Sequence, residues 1–260
     1  MGSWRTAGDP SVYGMLELDM TESLKYISEL QSKTDVKISV SHLVGKVVAN
    51  VLVARPEING LIRFSRIYQR KHVDLFYQVN VPGSEDDPVG KALLTGATVR
   101  NVETLSITEI AQDLNKKSRG LKAGEKGELT KSLNTLKIVP WKLMRSVLNF
   151  TSFLTYDLRL NLSWAGVPQD PFGSVMITNV GGLGIDIAWA PLVPYSRVPL
   201  LLTLGTIKDR PWVVNGQVEV RPVMRVGITF DHRFMDGIHA SQMSRMFNAA
   251  LENPKQHLQA

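Results

Sequence analysis

The sequence predicts an α/β fold. Runs rich in β-branched residues, or alternating apolar with polar ones, are interspersed with stretches whose apolar residues recur at helical spacing. Asn215-Gly216 separates two strand-like runs, the mark of a two-residue hairpin turn with positive φ angles. With 260 residues, 43% hydrophobic and 21% charged, the chain can bury a sizeable core without staples, as one large α/β domain or two small ones.

Met1 to Pro10 reads as a polar arm and Tyr13 to Asp19 alternates as a strand. Thr21 is a suitable N-cap for a helix through Leu24, Ile27 and Leu30. Ser39 or Ser41 caps a second helix, apolar over much of its surface and therefore buried, that ends at Arg55-Pro56. Ile58 to Phe64 and Ile67 to Val81 read as strands with short turns, Gly83 to Asp87 as a turn, and Leu93 to Val99 as a further strand. Ile107 to Arg119 is a helix entered from Ser106 or Thr108, with Gly120 as its C-cap.

Ala123 to Gly127 is loop-like. Leu143, Met144, Val147, Leu148 and Leu154 then make an amphipathic stripe, which suits a helix packed on the domain's own core; a membrane-surface or lid role is the alternative. Gly173 to Asn179 is a β-branched strand closed by the tight loop Gly181 to Gly184, and Leu200 to Ile207 is a buried strand. Trp212 to Val220 is the Asn-Gly hairpin. Val223 to Phe230 is the next strand and runs into Asp231-His232, and Ile238 to Leu251 is a helix stopped by Asn253-Pro254.

Composition excludes several functions. Without cysteine there is no disulfide, thiolate nucleophile or Cys-based zinc site, which also fits a reducing compartment. Met1 to Thr21 carries Arg5, Asp9, Glu17 and Asp19 and does not read as a signal peptide. The most apolar run, Val198 to Ile207, is about half the roughly 20 residues that a membrane span needs, so no span is expected and the location is read as cytoplasmic. Of the net charge of +6, much lies in Lys116 to Arg145, which holds nine Lys or Arg against Glu125 and Glu128. This reads as a solvated face, or as a patch for a polyanion. No nucleic-acid-binding pattern accompanies it, so no nucleic-acid partner is expected; the phosphates of a small molecule are an equally good anion.

Among the five histidines, His232 stands out. It lies just past a strand, beside Asp231 and Arg233, with Asp236 four residues on and Gly237 before a helix. A loop at a strand end is held by the sheet yet open to solvent, and an imidazole can take a proton from a thiol or hydroxyl near neutral pH. Spacing alone leaves a catalytic site and a hydrogen-bonded structural turn equally open. A metal set of Asp231, His232, Asp236 and His239 lacks the spacing of a helical zinc site, and no metal is expected. The G-x-S-x-G elbow, the P-loop and the G-x-G-x-x-G fingerprint are all missing from the sequence.

Three stretches, in order and spacing, carry a family resemblance: Phe172 to Gly181, Gly205 to Pro211 with the hairpin after it, and Arg221-Pro222-Val223 leading to Asp231 through Gly237. The chain resembles the catalytic domain of the acyltransferase component of 2-oxoacid dehydrogenase complexes, related to chloramphenicol acetyltransferase. The likeness is weaker through Ser41 to Asn59 and fades between Gly120 and Gly166. It implies a two-layer sandwich of a mostly antiparallel mixed sheet and helices, assembled as a trimer or a larger trimer-based particle, with active sites between subunits.

The resemblance also implies a CoA-dependent acyltransferase, with acyl-CoA as substrate and a thiol of the dihydrolipoyl type, an amine or a hydroxyl as acceptor. The matching histidine, His232, is then the general base, and the matching aspartate, Asp236, buttresses its loop. Thr178 of a neighbouring subunit stands where the family usually has serine, as donor to the oxyanion. Residues 1–20 are expected to form an arm and first strand and 21–260 the catalytic domain, with 121–170 a divergent helical insertion. No lipoyl domain is read ahead of the catalytic region, so a covalently attached lipoyl group is not expected on this chain, and a lipoyl domain on another chain is a candidate partner. The alternative is a non-catalytic trimeric scaffold with the same fold.

Overall fold

The computed structural model describes residues 10–79, 95–123 and 140–258. The arm before Pro10, the turn Gly83 to Asp87, the start of the strand expected from Leu93, most of the loop Ala123 to Gly127 and the middle of the basic run lie outside them. The strands are β1 (Ser11–Asp19), β2 (Gly60–Arg63), β3 (Arg66–Gln69), β4 (Leu75–Val79), β5 (Thr95–Val99), β6 (Val175–Asn179), β7 (Leu200–Leu204), β8 (Lys208–Val214) and β9 (Gln217–Asp231). The helices are α1 (Thr21–Gln31), α2 (Val40–Ala54), α3 (Ile107–Lys122), α4 (Trp141–Ser152), α5 (Gly237–Glu252) and α6 (Pro254–His257).

One mixed sheet runs β1-β9-β7-β6-β4-β5, with β8 on the amino-terminal half of β9. Only the β4–β6 and β6–β7 pairs are parallel; β1–β9, β7–β9, β8–β9 and β4–β5 are antiparallel. The hairpin read from Asn215-Gly216 is β8–β9, and both turn residues have positive φ, 50° and 82°. The strand expected at Val223 is the second half of this one long strand.

Alternation sorts the side chains of the sheet. Leu75, Tyr77, Val175, Ile177, Leu200 and Leu202 join the main core with α1, α2, α3 and α5. Phe76, Met176 and Leu201 point the other way, onto a smaller cluster with Phe172 and Val198. The architecture is the two-layer sandwich expected. Helix α2 is its centre, buried through Ser41 to Leu52 except for Asn50. It lies so close to the sheet that a Cβ on Gly45 would collide with the Tyr77 hydroxyl.

Four expectations are corrected. Ile67 to Val81, described as far as Val79, is divided between two sheets. β3 is exposed throughout and pairs only with β2, in a separate hairpin turned by Phe64 and Ser65 at positive φ. β4 is buried in the main sheet, and the chain between is turned by Arg70 N–H donating to the Asn59 carbonyl at 2.8 Å. Thr21 is the first residue of α1, not its cap: Asp19 accepts from the Thr21 N–H at 2.9 Å, so the acceptor sits one residue ahead of the Met20 cap position. Gly120 lies inside α3, which closes at Ala123. The α4 stripe does not join either core cluster: Met144, Val147, Leu148 and Leu154 are half-buried and Leu143 is 54% exposed.

Among the described residues no helix is long and apolar enough to cross a membrane.

Candidate active site

β9 delivers its last residues to one end of the sheet, and hydrogen bonds pin the turn that follows from both sides. Asp231 N–H donates to the Pro199 carbonyl on the β7 side, and His232 N–H donates to the Pro10 carbonyl on the β1 side, both at 2.9 Å. The buried Asp231 carboxylate accepts from the Arg233 N–H at 2.9 Å and from its guanidinium at 2.9, 3.1 and 2.6 Å. Phe234 and Met235 anchor the turn in the core. The backbone of His232 is thereby fixed while its side chain is exposed, with its ring stacked at 28° on Phe230, 6.5 Å between centroids.

Asp236 ends the turn as the N-cap of α5. Its Oδ1 accepts from the Ile238 and His239 N–H groups at 2.9 and 3.1 Å and lies 2.8 Å from His239 Nδ1. The His239 N–H, then its ring, hold the Asp236 carboxyl below the usual carboxylate range. A charged cap at a helix N-terminus suits the helix dipole as well as the free N–H groups. His232 and Asp236 are thus brought into one short turn, and Asp236 acts on α5, which fixes where the turn ends.

Thr178 is elsewhere. It pairs with Thr203 on β7, and Thr203 with Gly227 on β9. Because β9 is antiparallel to β7, Gly227 lies five residues before His232. That offset puts Thr178 roughly 16 Å from His232 along the strands and two strand spacings, about 10 Å, across them. One chain therefore does not bring Thr178 to His232.

Sequence reasoning gave no part to Pro10, to the Arg233 fork or to the cavity below the turn. That cavity, of about 280 Å3, lies between the sheet and helices α2 and α5, bounded by Phe230, Met235, Val48, Val51, Met243 and Phe247. The alternation of β9 was the only sequence signal for Phe230 in its wall. The suggested metal set is not assembled, since Asp231 is committed to Arg233 and Asp236 to α5. Among the described residues no group of three or more His, Asp or Glu could hold a metal ion.

Residues 3–133 and 170–259 match the family "2-oxoacid dehydrogenases acyltransferase (catalytic domain)". The chain belongs to this family. Residues 134–169, which include α4, fall outside the match. The chain is similar to the dihydrolipoyllysine-residue succinyltransferase component of the mitochondrial 2-oxoglutarate dehydrogenase complex of Saccharomyces cerevisiae, 25% identical over 93% of this chain and 42% of that protein. It is also similar to the Escherichia coli K12 counterpart, 25% identical over 88% of this chain and 44% of that protein. The chain thus spans less than half the length of these curated relatives.

Among solved structures, the dihydrolipoamide acetyltransferase of Azotobacter vinelandii superposes with a TM-score of 0.69 at 17% identity, over 97% of this chain and 85% of that one. The cubic core of the pyruvate dehydrogenase multienzyme complex gives the same values. This family membership confirms the kinship read from the three carboxy-terminal motifs.

Proposed function

We propose that this family member transfers an acyl group between CoA and a thiol acceptor of the dihydrolipoyl type, with His232 as general base. The observation that carries the reading is the turn at the end of β9, pinned by Pro10, Pro199 and Arg233 so that an exposed imidazole stands on a fixed backbone. A serine, a histidine and an asparagine figure in the catalytic mechanism of the Azotobacter enzyme. Thr178, His232 and Asp236 follow in the same order here.

In this reading the imidazole takes the proton of the acceptor thiol as its sulfur attacks the thioester carbonyl of acyl-CoA. The tetrahedral oxyanion accepts a hydrogen bond from a threonine hydroxyl. The intermediate then collapses, the C–S bond to CoA breaks, and the CoA sulfur takes the proton from the imidazolium. Thr178 supplies that donor from a second copy, because the strand register keeps its own copy's Thr178 away from His232. A trimer, alone or within a larger particle, provides this arrangement, and a lipoyl domain on another chain is the natural acceptor.

The test is CoA release from acyl-CoAs offered with dihydrolipoamide. General acid–base catalysis contributes about 10² to 10⁴-fold, so His232→Ala should lower the rate by that amount while the fold and assembly stay intact. A rate unchanged by His232→Ala would leave the chain a scaffold.

A further inference from the structure

We propose that the cleft between the β2–β3 hairpin and residues 153–170 holds the phosphate group of an anionic phospholipid, and that this face docks on a lipid surface. The cleft, of about 560 Å3, is lined by Arg63, Arg70, Lys71, Arg100 and Arg159, against two carboxylates, Asp74 and Asp170.

Both carboxylates are already engaged. Asp74 accepts from Arg100 at 2.8 Å and from the Asn101 N–H at 2.9 Å. Asp170 takes the Tyr156 hydroxyl at 3.3 Å and one Arg70 nitrogen. The positive charge is therefore in excess. The Arg70 side chain is only 10% exposed, yet its Nε and Nη2 have no partner, and neither has Arg63 Nε. Arg63 is held over the Tyr68 ring, 4.9 Å from its centroid. A single carboxylate would neutralise one of the surplus charges. A phosphate brings more charge and several acceptor oxygens, which guanidinium forks match in geometry.

Exposed apolar residues adjoin in sequence those that line the cleft. Phe64, beside Arg63, is 58% exposed and meets the exposed Phe153 edge-on at 6.3 Å. Leu158 and Leu160, both exposed, flank Arg159, and Trp164 on the same segment is 85% exposed. Half-buried Arg63, Arg70 and Arg100 with exposed Lys71 and Arg159, beside exposed aromatic and aliphatic side chains, form the pattern of an interfacial surface, apolar groups entering the acyl boundary while the cations meet the headgroups. A soluble phosphate would gain nothing from Leu158 and Leu160, and neither would a nucleic acid. Most of the segment lies in residues 134–169, outside the family match, while Arg63, Arg70, Lys71 and Arg100 lie inside it; none of the cleft's lining residues belongs to the turn that carries His232.

Flotation of the purified protein with vesicles tests this, using phosphatidylcholine alone and phosphatidylcholine mixed with phosphatidic acid. Binding is expected only to the mixed vesicles. A hydrogen bond to a charged group contributes about 1.5–3 kcal/mol, so Arg70→Gln should weaken that binding at least about tenfold. If Arg70→Gln fails to fold by near-ultraviolet circular dichroism, Lys71→Gln with Arg159→Gln on the rim takes its place. Thermal unfolding with inorganic phosphate probes the cations alone, and Phe64→Ser with Phe153→Ser should release the protein from vesicles while leaving its stabilisation by phosphate unchanged. Equal binding to both vesicles, binding that ignores these substitutions, or stabilisation of the parent protein by inorganic phosphate without vesicle binding would each overturn the proposal. So would a smaller assembly after the double phenylalanine change, which would show this face packed between copies.

Discussion

His42 and Asp236 each close a capping box, one from inside the core and one from the surface. The His42 ring is buried, its Nδ1 accepts from the Ser39 N–H at 3.0 Å, and burial lowers its pKa to about 4. The unfolded imidazole, near 6.5, binds a proton that the folded one refuses until about pH 4. The stability contributed by the neutral ring is therefore whole above the unfolded value and is lost as pH falls towards the folded one. Linkage puts the loss on the order of 2 kcal/mol by pH 5. Urea unfolding between pH 7 and 5 should show that slope, and His42→Gln should flatten it. At Asp236 the cap needs an acceptor oxygen, not a charge, and asparagine caps about as well as aspartate. Asp236→Asn should keep the melting temperature and most of the CoA release, whereas Asp236→Ala should lower both. Equal loss in the two variants would show that the charge itself serves the reaction.

Elements were legible where one local force decides them. The Asn215-Gly216 hairpin, α5 between Asp236 and Asn253, and α2 between Ser39 and Arg55 are each set by a turn residue, a cap or an apolar face, and all stand where the sequence puts them. What misled was surroundings. Ile67 to Val81 is apolar enough for one strand, but Ile67 and Tyr68 are exposed in a side hairpin while Leu75 to Tyr77 are core. The α4 stripe has the spacing of a core face, yet its residues are at most half-buried and join neither core cluster, because periodicity states which residues share a face and not what that face meets. At the site, the order Thr178, His232, Asp236 was legible, but the hold of Pro10 on His232 joins residues over two hundred positions apart. Nor does spacing show how closely elements approach. Gly45 reads as an ordinary helix position, yet its missing side chain lets α2 sit on Tyr77. Gly45→Ala should overpack this contact and cost about 1–3 kcal/mol, although alanine is the better helix former. Gly45→Ala with Tyr77→Phe removes the colliding hydroxyl and should recover most of that stability in thermal unfolding.

For the whole molecule, the decisive fact is strand direction. β6 is parallel to β7 and β7 antiparallel to β9, so the residue after β9 and the end of β6 leave the sheet at opposite ends. His232 and Thr178 cannot be halves of one site within a chain, whatever their rotamers. They can be halves of a shared site if copies meet in a closed ring, each giving His232 to one neighbour and Thr178 to the other, a heterologous contact that a three-fold axis closes. This makes the two losses complementary. Removing an oxyanion donor typically costs about 10² to 10³-fold in kcat, so Thr178→Ala alone should be nearly inactive, while Thr178→Ser should stay close to the parent. In the proposed ring, coexpressed Thr178→Ala and His232→Ala chains would assemble together, and random mixing would restore both groups at roughly a quarter of the sites. CoA release from the mixed particles should therefore approach that fraction of the parent rate, far above either variant alone. Mixed particles no more active than the separate variants would place Thr178 outside the site and leave His232 without a partner from the second copy.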